Sequence, residues 1–386
     1  MRTITTTADL EEICQRAKAE AYVTLDTEFL RERTYWAKLC LIQMALPGQG
    51  EAVLIDPIEG DMDLAPLYDL FRWEKTVKVF HAARQDLEIF FVDSGVIPKP
   101  LFDTQVAAMV CGFGEQVGYE TLVRKIAREN LDKTSRFTDW SRRPLSEAQK
   151  AYALADVTHL RVIYEQLSAQ IAKSGRERWV AEELAVLNDP ATYTVHPEDA
   201  WQRVKTRTTS ARFLAIVKEL ARFREDYAQT NNVPRSRVMK DDALLELAST
   251  KPVTLEDLGR SRLLLREARR GDIAEGILAA VKAGQEMPAD KMPKPDLSKD
   301  QVQVNPALAD LLRVLLKAKS EELGVAAKLI ASSAELDALA AGDRDLTALK
   351  GWRMEAFGAD ALRLCRGEIA LSAKGNNVRV VTLNAS

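Results

Sequence analysis

YVTLD at residues 22–26, running on as LDTEF over 25–29, decides how the front of this chain is read. Tyr22, Val23, Thr24 and Leu25 are the aromatic, β-branched and aliphatic residues that fill a pleated, half-buried strand, and Asp26 and Glu28 stand at its end. Side chains two apart on a strand share a face, so the two carboxylates crowd each other. Away from water such a pair raises its own pKa values and costs stability unless a cation lies between. Working outward, KLCLIQMAL (38–46), AVLID (52–56) and TVKVFHA (76–82) also have strand length and composition, with turn residues Pro47, Gly48 and Gly50 after the first of them. Beyond residue 82 the pattern becomes helical, over 84–91, 104–110, 119–128 and 147–170. A meander of four strands followed by β–α alternation predicts a mixed sheet covered by helices.

The chain has 386 residues, too many for one hydrophobic core. From about residue 196 helices dominate, in SARFLAIVKELARFREDYAQ, DDALLELA and GDIAEGILAAVKAG, and the Pro- and Lys-rich stretch 285–306 reads as a linker. VPRSRVMKDDALLELA, from Val233, aligns without gaps to VAAKLIASSAELDALA, from Val325, which suggests a duplicated helical module. The boundaries expected are 1–195 for a catalytic domain, 196–284 for a first helical domain, 285–304 for the linker, 305–372 for a second helical domain and 373–386 for a C-terminal tail.

Composition narrows the function classes. A hydrophobic fraction of 46% and a charged fraction of 29% are those of a globular protein. The sequence has no apolar run long enough to span a membrane and no secretory leader, so a cytoplasmic protein without a membrane partner is expected. Cys14, Cys40, Cys111 and Cys365 lack metal-site spacing and read as four buried, reduced thiols. The formal net charge of −3 hides an asymmetry: Lys and Arg number 23 against 32 Asp and Glu over 1–199, but 17 against 11 over 200–284. An acidic front joined to a basic middle suits a metal-using catalytic domain followed by a polyanion-binding one.

Two further stretches carry carboxylates. VFHAARQDLEIF (79–90) runs from strand to helix with Asp86 near the helix start, and AYALADVTHL (151–160) puts Tyr152 and Asp156 four apart on one helix face. Each alone is as well explained by a solvated helix edge. Together, Asp26, Glu28, Asp86 and Asp156 make four oxygen-donor groups, enough for two hard divalent ions, Mg²⁺ or Mn²⁺, of the kind that clamp an in-line phosphoryl displacement.

These motifs, with WAKLCLIQMA (36–45), LFDTQVAA (101–108) and TDWSRRPLSEAQ (138–149), resemble the bacterial ribonuclease D family. The resemblance implies a ribonuclease H-like α/β mixed-sheet exonuclease domain followed by two small all-α helical domains of the type shared with RecQ-like helicases. It implies a 3′–5′ exoribonuclease that trims structured small RNAs, transfer RNA precursors among them, to nucleoside 5′-monophosphates. By motif position Asp26, Glu28, Asp86 and Asp156 would be the metal ligands, and Tyr152 would join them as a catalytic residue. The partner would be RNA with a free 3′ end, acted on by a monomer. Two alternatives stand beside this reading: a DNA-directed exonuclease of the same superfamily, and a non-catalytic RNA-binding scaffold.

Substrate contacts are expected from Phe29 and Leu30, as wedges against terminal bases, with one of the two equally suited to the core. His81 is placed with the substrate rather than on the metal, although a structural histidine is the commoner occupant of a strand end. Arg142 and Arg143 are expected at phosphates. Asp103 is expected to cap the helix beginning at Thr104. In the basic segment Arg203, Lys205, Arg207, Arg235, Arg237 and Lys240 are candidates to track a backbone.

Overall fold

The computed structural model describes residues 1–132, 138–206, 208, 210–294 and 304–383; the candidate Arg207 and much of the expected linker lie outside them. The chain divides into two compact units. The first comprises Met1–Glu28, Cys40–Thr192 and Val302–Ser386, and the second Phe29–Leu39 and Tyr193–Gln301. No described helix is long and apolar enough to cross a membrane.

In the first unit six strands, β1 (Arg2–Ile4), β2 (Tyr22–Leu30), β3 (Lys38–Ala45), β4 (Ala52–Ile55), β5 (Val77–Phe80) and β6 (Leu101–Asp103), lie in the order β1-β4-β3-β2-β5-β6. The sheet is mixed: β3 and β4 pair antiparallel, whereas β1–β4, β2–β5 and β5–β6 are parallel. Four of these strands are the expected ones. β1 and β6 were not expected. Around the sheet come α1 (Thr7–Ala17), α2 (Ala65–Arg72), α3 (Arg84–Ser94), α4 (Thr104–Val110), α5 (Tyr119–Leu122), α6 (Glu147–Ser174) and α7 (Glu177–Leu184). The helix expected over 119–128 is only one α-turn, continued as a π-turn through Val123–Ala127. α6 is long because both ends are defined: Ser146 and Gln149 close a capping box, and Gly175, at φ 66°, ends the helix in the left-handed region.

The second unit folds around α8 (Ala211–Thr230), with α9 (Arg235–Val238), α10 (Asp241–Thr250), α11 (Leu255–Gly259) and α12 (Gly271–Glu286). Its core includes Ile216, Leu220, Leu244, Leu247, Ile277 and, from the Phe29–Leu39 segment, Tyr35. The Tyr35 hydroxyl donates to Glu225, Arg235 reaches the same oxygen at 2.7 Å, and Asn232 accepts from the backbone amides of Tyr35 and Trp36 at 3.1 and 2.9 Å.

The repeat seen in the sequence recurs as structure. α9 begins two residues after Val233, and α14 (Ala327–Ile330) begins two after Val325; α10 and α15 (Ser333–Ala340) each begin eight residues after those valines. Both copies step between their helices through an extended residue, Met239 or Ala331. Preceded by α13 (Pro306–Leu323) and followed by α16 (Gly351–Arg353) and α17 (Ala359–Cys365), the second copy belongs to the first unit instead of standing alone. Trp352 stacks on Trp179 of α7 with centroids 4.5 Å apart, its indole donates to Glu183 at 2.8 Å, and Arg353 pairs with Glu183 at 2.7 Å. Gly112, at φ 80°, lies so close to Gly324 that a Cβ would meet its carbonyl oxygen at 2.4 Å. The expected tail is a hairpin of β7 (Ile369–Lys374) and β8 (Asn377–Thr382), so the boundary at 373 falls inside a strand. Of the cysteines, Cys14 and Cys40 are buried, whereas Cys111 and Cys365 are half-buried; all four are free thiols.

Arg143 corrects an expectation. Its guanidinium forks onto Asp56, at 2.5 and 2.6 Å, and donates to the carbonyls of Cys40, Trp140 and Arg142. Asp56 is 1% exposed and its other bonds go to the amides of Ile58 and Glu59. The charge is consumed internally and is not at hand for phosphate. Arg143→Ala therefore strands a buried carboxylate, and a loss of about 3–5 kcal/mol in denaturant unfolding is expected. Arg143→Lys recovers only part of this, because an ammonium does not reproduce the fork.

Candidate active site

β2 and α6 are tied together before any chemistry is considered. Thr24, fully buried, donates its hydroxyl to the Val157 carbonyl at 2.7 Å, and Tyr22 donates to Glu165 at 2.5 Å. These bonds fix the strand that carries Asp26 against the helix that carries Asp156. Tyr119 adds a third brace: its hydroxyl closes on the Asp156 carbonyl at 2.6 Å, with that of Ala155 at 3.2 Å.

α3 is set by Asp103. One of its carboxylate oxygens accepts from Gln105 at 2.7 Å, which caps α4 as expected. The carboxylate also accepts from Ala82 at 3.1 Å and Ala83 at 2.8 Å. Ala82 sits at φ 56°, a conformation unfavourable for a residue with a Cβ, and these bonds hold the turn that delivers Asp86 at the head of α3. Thr27, between the two acids of β2, donates its hydroxyl to Asp86.

A cleft of about 240 Å³ is lined by Asp26, Asp156, Tyr152, Tyr119 and His81, among others. Burial, and next the Asp156 charge, hold the Asp26 carboxyl well above the usual carboxylate range. Asp86 is also raised, by burial first and the Asp26 charge second, against the opposing Thr27 hydrogen bond. Burial pushes the Tyr119 phenol up, with Asp156 and Asp26 adding to it, so its hydroxyl stays a donor. Asp26, Asp86 and Asp156 thus form one repelling set. Glu28 is half-buried on the same strand and, like Asp86, is not among the side chains lining the cleft. Among the described residues no three His, Cys, Asp or Glu side chains already stand at a spacing that would hold a metal ion. By donor type the set suits hard cations: it is all oxygen and all anionic.

Tyr152 lies on the cleft with its ring 6.1 Å from that of Trp140, which is buried. His81 Nδ1 is 3.0 Å from the Thr104 hydroxyl, which itself donates to the Phe80 carbonyl at 3.1 Å. The hydroxyl proton is thereby used, so Nδ1 carries a hydrogen and Nε2 is the acceptor. Burial lowers the His81 pKa, against the pull of Asp103, and so favours the neutral ring. Phe29 and Leu30 are half-buried and do not line the cleft. Arg142 is 84% exposed and, among the described residues, pairs with exposed Asp139 at 3.2 Å. Tyr119 and Thr27 were missed from sequence. Tyr119 acts on a backbone carbonyl 37 residues away, which no local pattern marks, and Thr27 was hidden by its two acidic neighbours.

Residues 1–172 match the 3′–5′ exonuclease family and residues 213–281 match the HRDC domain. The chain is 64% identical to a ribonuclease D of Jannaschia sp. over 98% of this chain and 99% of that one. It is 48% identical to a ribonuclease D of Granulibacter bethesdensis over 98% and 96%. Its fold superposes on the crystal structure of Escherichia coli RNase D, described as an exoribonuclease involved in structured RNA processing, with a TM-score of 0.83 at 30% identity over 95% and 98% of the two chains. With full-length relatives at this identity and an acid cluster braced at the meeting of β2, α3 and α6, the chain belongs to the ribonuclease D family of 3′–5′ exoribonucleases.

Proposed function

We propose that this exoribonuclease trims the 3′ ends of structured small RNAs such as transfer RNA precursors, releasing nucleoside 5′-monophosphates, with two divalent cations, Mg²⁺ or Mn²⁺, held by Asp26, Glu28, Asp86 and Asp156. The observation that carries the reading is the mutual repulsion of Asp26, Asp86 and Asp156 beside a cleft that Tyr152 shares. Bound by those acids, divalent ions supply an activated water and offset charge on the departing 3′ oxygen. The chain's own groups do the rest. The Tyr152 hydroxyl, both donor and acceptor, orients the attacking water. His81 presents Nε2 as an acceptor, which suits a ribose hydroxyl of the terminal nucleotide and not a phosphate. Exposed Arg142 is left for the backbone.

The direct test incubates the full chain with a 3′-extended transfer RNA, with and without EDTA, and identifies the products. Mononucleotides released only with divalent ion support the reading, and a DNA strand of matched sequence degraded in preference to the RNA overturns it. Asp26→Asn and Asp156→Asn are expected to abolish turnover with the circular dichroism spectrum unchanged. Tyr152→Phe lowers kcat while leaving divalent-ion affinity, read by calorimetry, near the parent value.

Stability gives an independent check. Folding raises the Asp26 and Asp86 pKa values, so the folded state favours their protonated forms. The stability this brings is full below the ordinary carboxylate range and is lost as pH climbs through the raised values. In metal-free protein Asp26→Asn therefore raises the thermal midpoint at neutral pH, by about 2–4 °C for ~1 kcal/mol in a unit of this size. The gain shrinks towards zero in acid, and a gain independent of pH would remove repulsion as its cause.

A further inference from the structure

The basic middle of the chain contains a cavity of about 400 Å³, wholly within the second unit. Its lining holds four cationic side chains, Arg203, Arg224, Arg235 and Lys240, against two carboxylates, Glu225 and Asp241. Both carboxylates are already paired. Glu225 takes Arg235 at 2.5 Å together with the Tyr35 hydroxyl, and Asp241 takes Arg224 at 2.6 Å. Arg203 and Lys240 are exposed and have no acidic partner among the described residues. Arg224 is 7% exposed. It spends Nη1 on Asp241 and on the Met239 carbonyl, while among the described residues its Nη2 makes no hydrogen bond and its buried Nε has no partner. A buried guanidinium with donors to spare is costly. The lining thus offers net positive charge and idle N–H donors, and both of its acceptor groups are committed. Such a wall repels cations and gains little from apolar ligands, but it matches an oxyanion that takes several donors at once.

We propose that this cavity is a phosphodiester cradle, in which Arg203, Lys240 and Nη2 of Arg224 hold one or two backbone phosphates of the RNA substrate, with the Ser236 hydroxyl as a further donor. It rests on the reading that the substrate is RNA and adds a grip remote in sequence from the acids that cut. Because the contacts go to phosphate, the cradle is indifferent to base identity, as an enzyme acting on many different 3′ ends requires.

The test uses the full chain and the double substitution Arg203→Gln and Lys240→Gln, at exposed positions outside the cutting machinery. For a labelled 12-nucleotide RNA, anisotropy over a salt series reads the dependence of log Kd on log salt. Two lost phosphate contacts reduce the slope by about 1.4 for a single strand. For 3′-extended transfer RNA, KM is expected to rise about 3- to 10-fold with kcat unchanged, as loss of uniform binding requires. A matched pair in the same unit, Arg262→Gln with Arg266→Gln, is exposed but off the cavity and leaves slope and KM near the parent values. Equal effects from both pairs, or a parental slope and KM in the first, overturn the cradle. Adenosine 5′-monophosphate displaces the RNA no better than chloride at matched ionic strength; selective displacement abolished by the first pair would reassign the site to a free mononucleotide. A parent chain that binds RNA without cutting it defeats the exonuclease reading and leaves the cradle standing.

Discussion

Like-charge repulsion among Asp26, Asp86 and Asp156 is the condition that the rest of the first unit is built to contain. Left to themselves, carboxylates on three elements would move apart, and hydrogen bonds within and between those elements hold them in place. Thr27 and the Asp103-braced turn hold Asp86, the Thr24 and Tyr22 bonds hold β2 against α6, and Tyr119 grips the backbone of Asp156 itself. The donors in these bonds are hydroxyls and main-chain amides. Lysines or arginines in their place would cancel part of the field that draws a cation.

Much of the fold was legible because its signals are local. The strands at 22–26, 38–46, 52–56 and 76–82 announce themselves by composition, and the helix at 104–110 by its cap. β1 and β6 have three residues each, too few to show a period. The acids and Tyr152 were readable as a pattern of spacing and residue type. Their supports were not, because Tyr119 and Thr24 act on carbonyls more than 35 residues away and any hydroxyl residue serves equally well on paper. Arg143 misled for the same reason: an arginine beside a second arginine looks exposed until Asp56, 87 residues earlier, is found beneath it. The half-burial of Phe29 and Leu30 likewise depends on a partner element, which no window around them contains.

The duplicated helical module has diverged in what it touches. In the second copy the residues around Trp352 and Arg353 face α7, using aromatic stacking and a half-buried pair with Glu183. In the first copy a comparable helical frame carries the excess of basic residues and surrounds a cavity with unspent donors. One backbone pattern has been turned once towards protein and once towards solvent, and the difference lies in a handful of side chains.

Residues 29–39 enter the second unit from the end of β2 and return as β3, with Tyr35 sealed among Glu225, Arg235 and Asn232. The polypeptide consequently passes from one unit to the other four times, where a bead-on-a-string arrangement would need a single passage for each junction. Cutting the helical part out at its continuous boundaries would leave Tyr35 without the Glu225, Arg235 and Asn232 side chains that hold it.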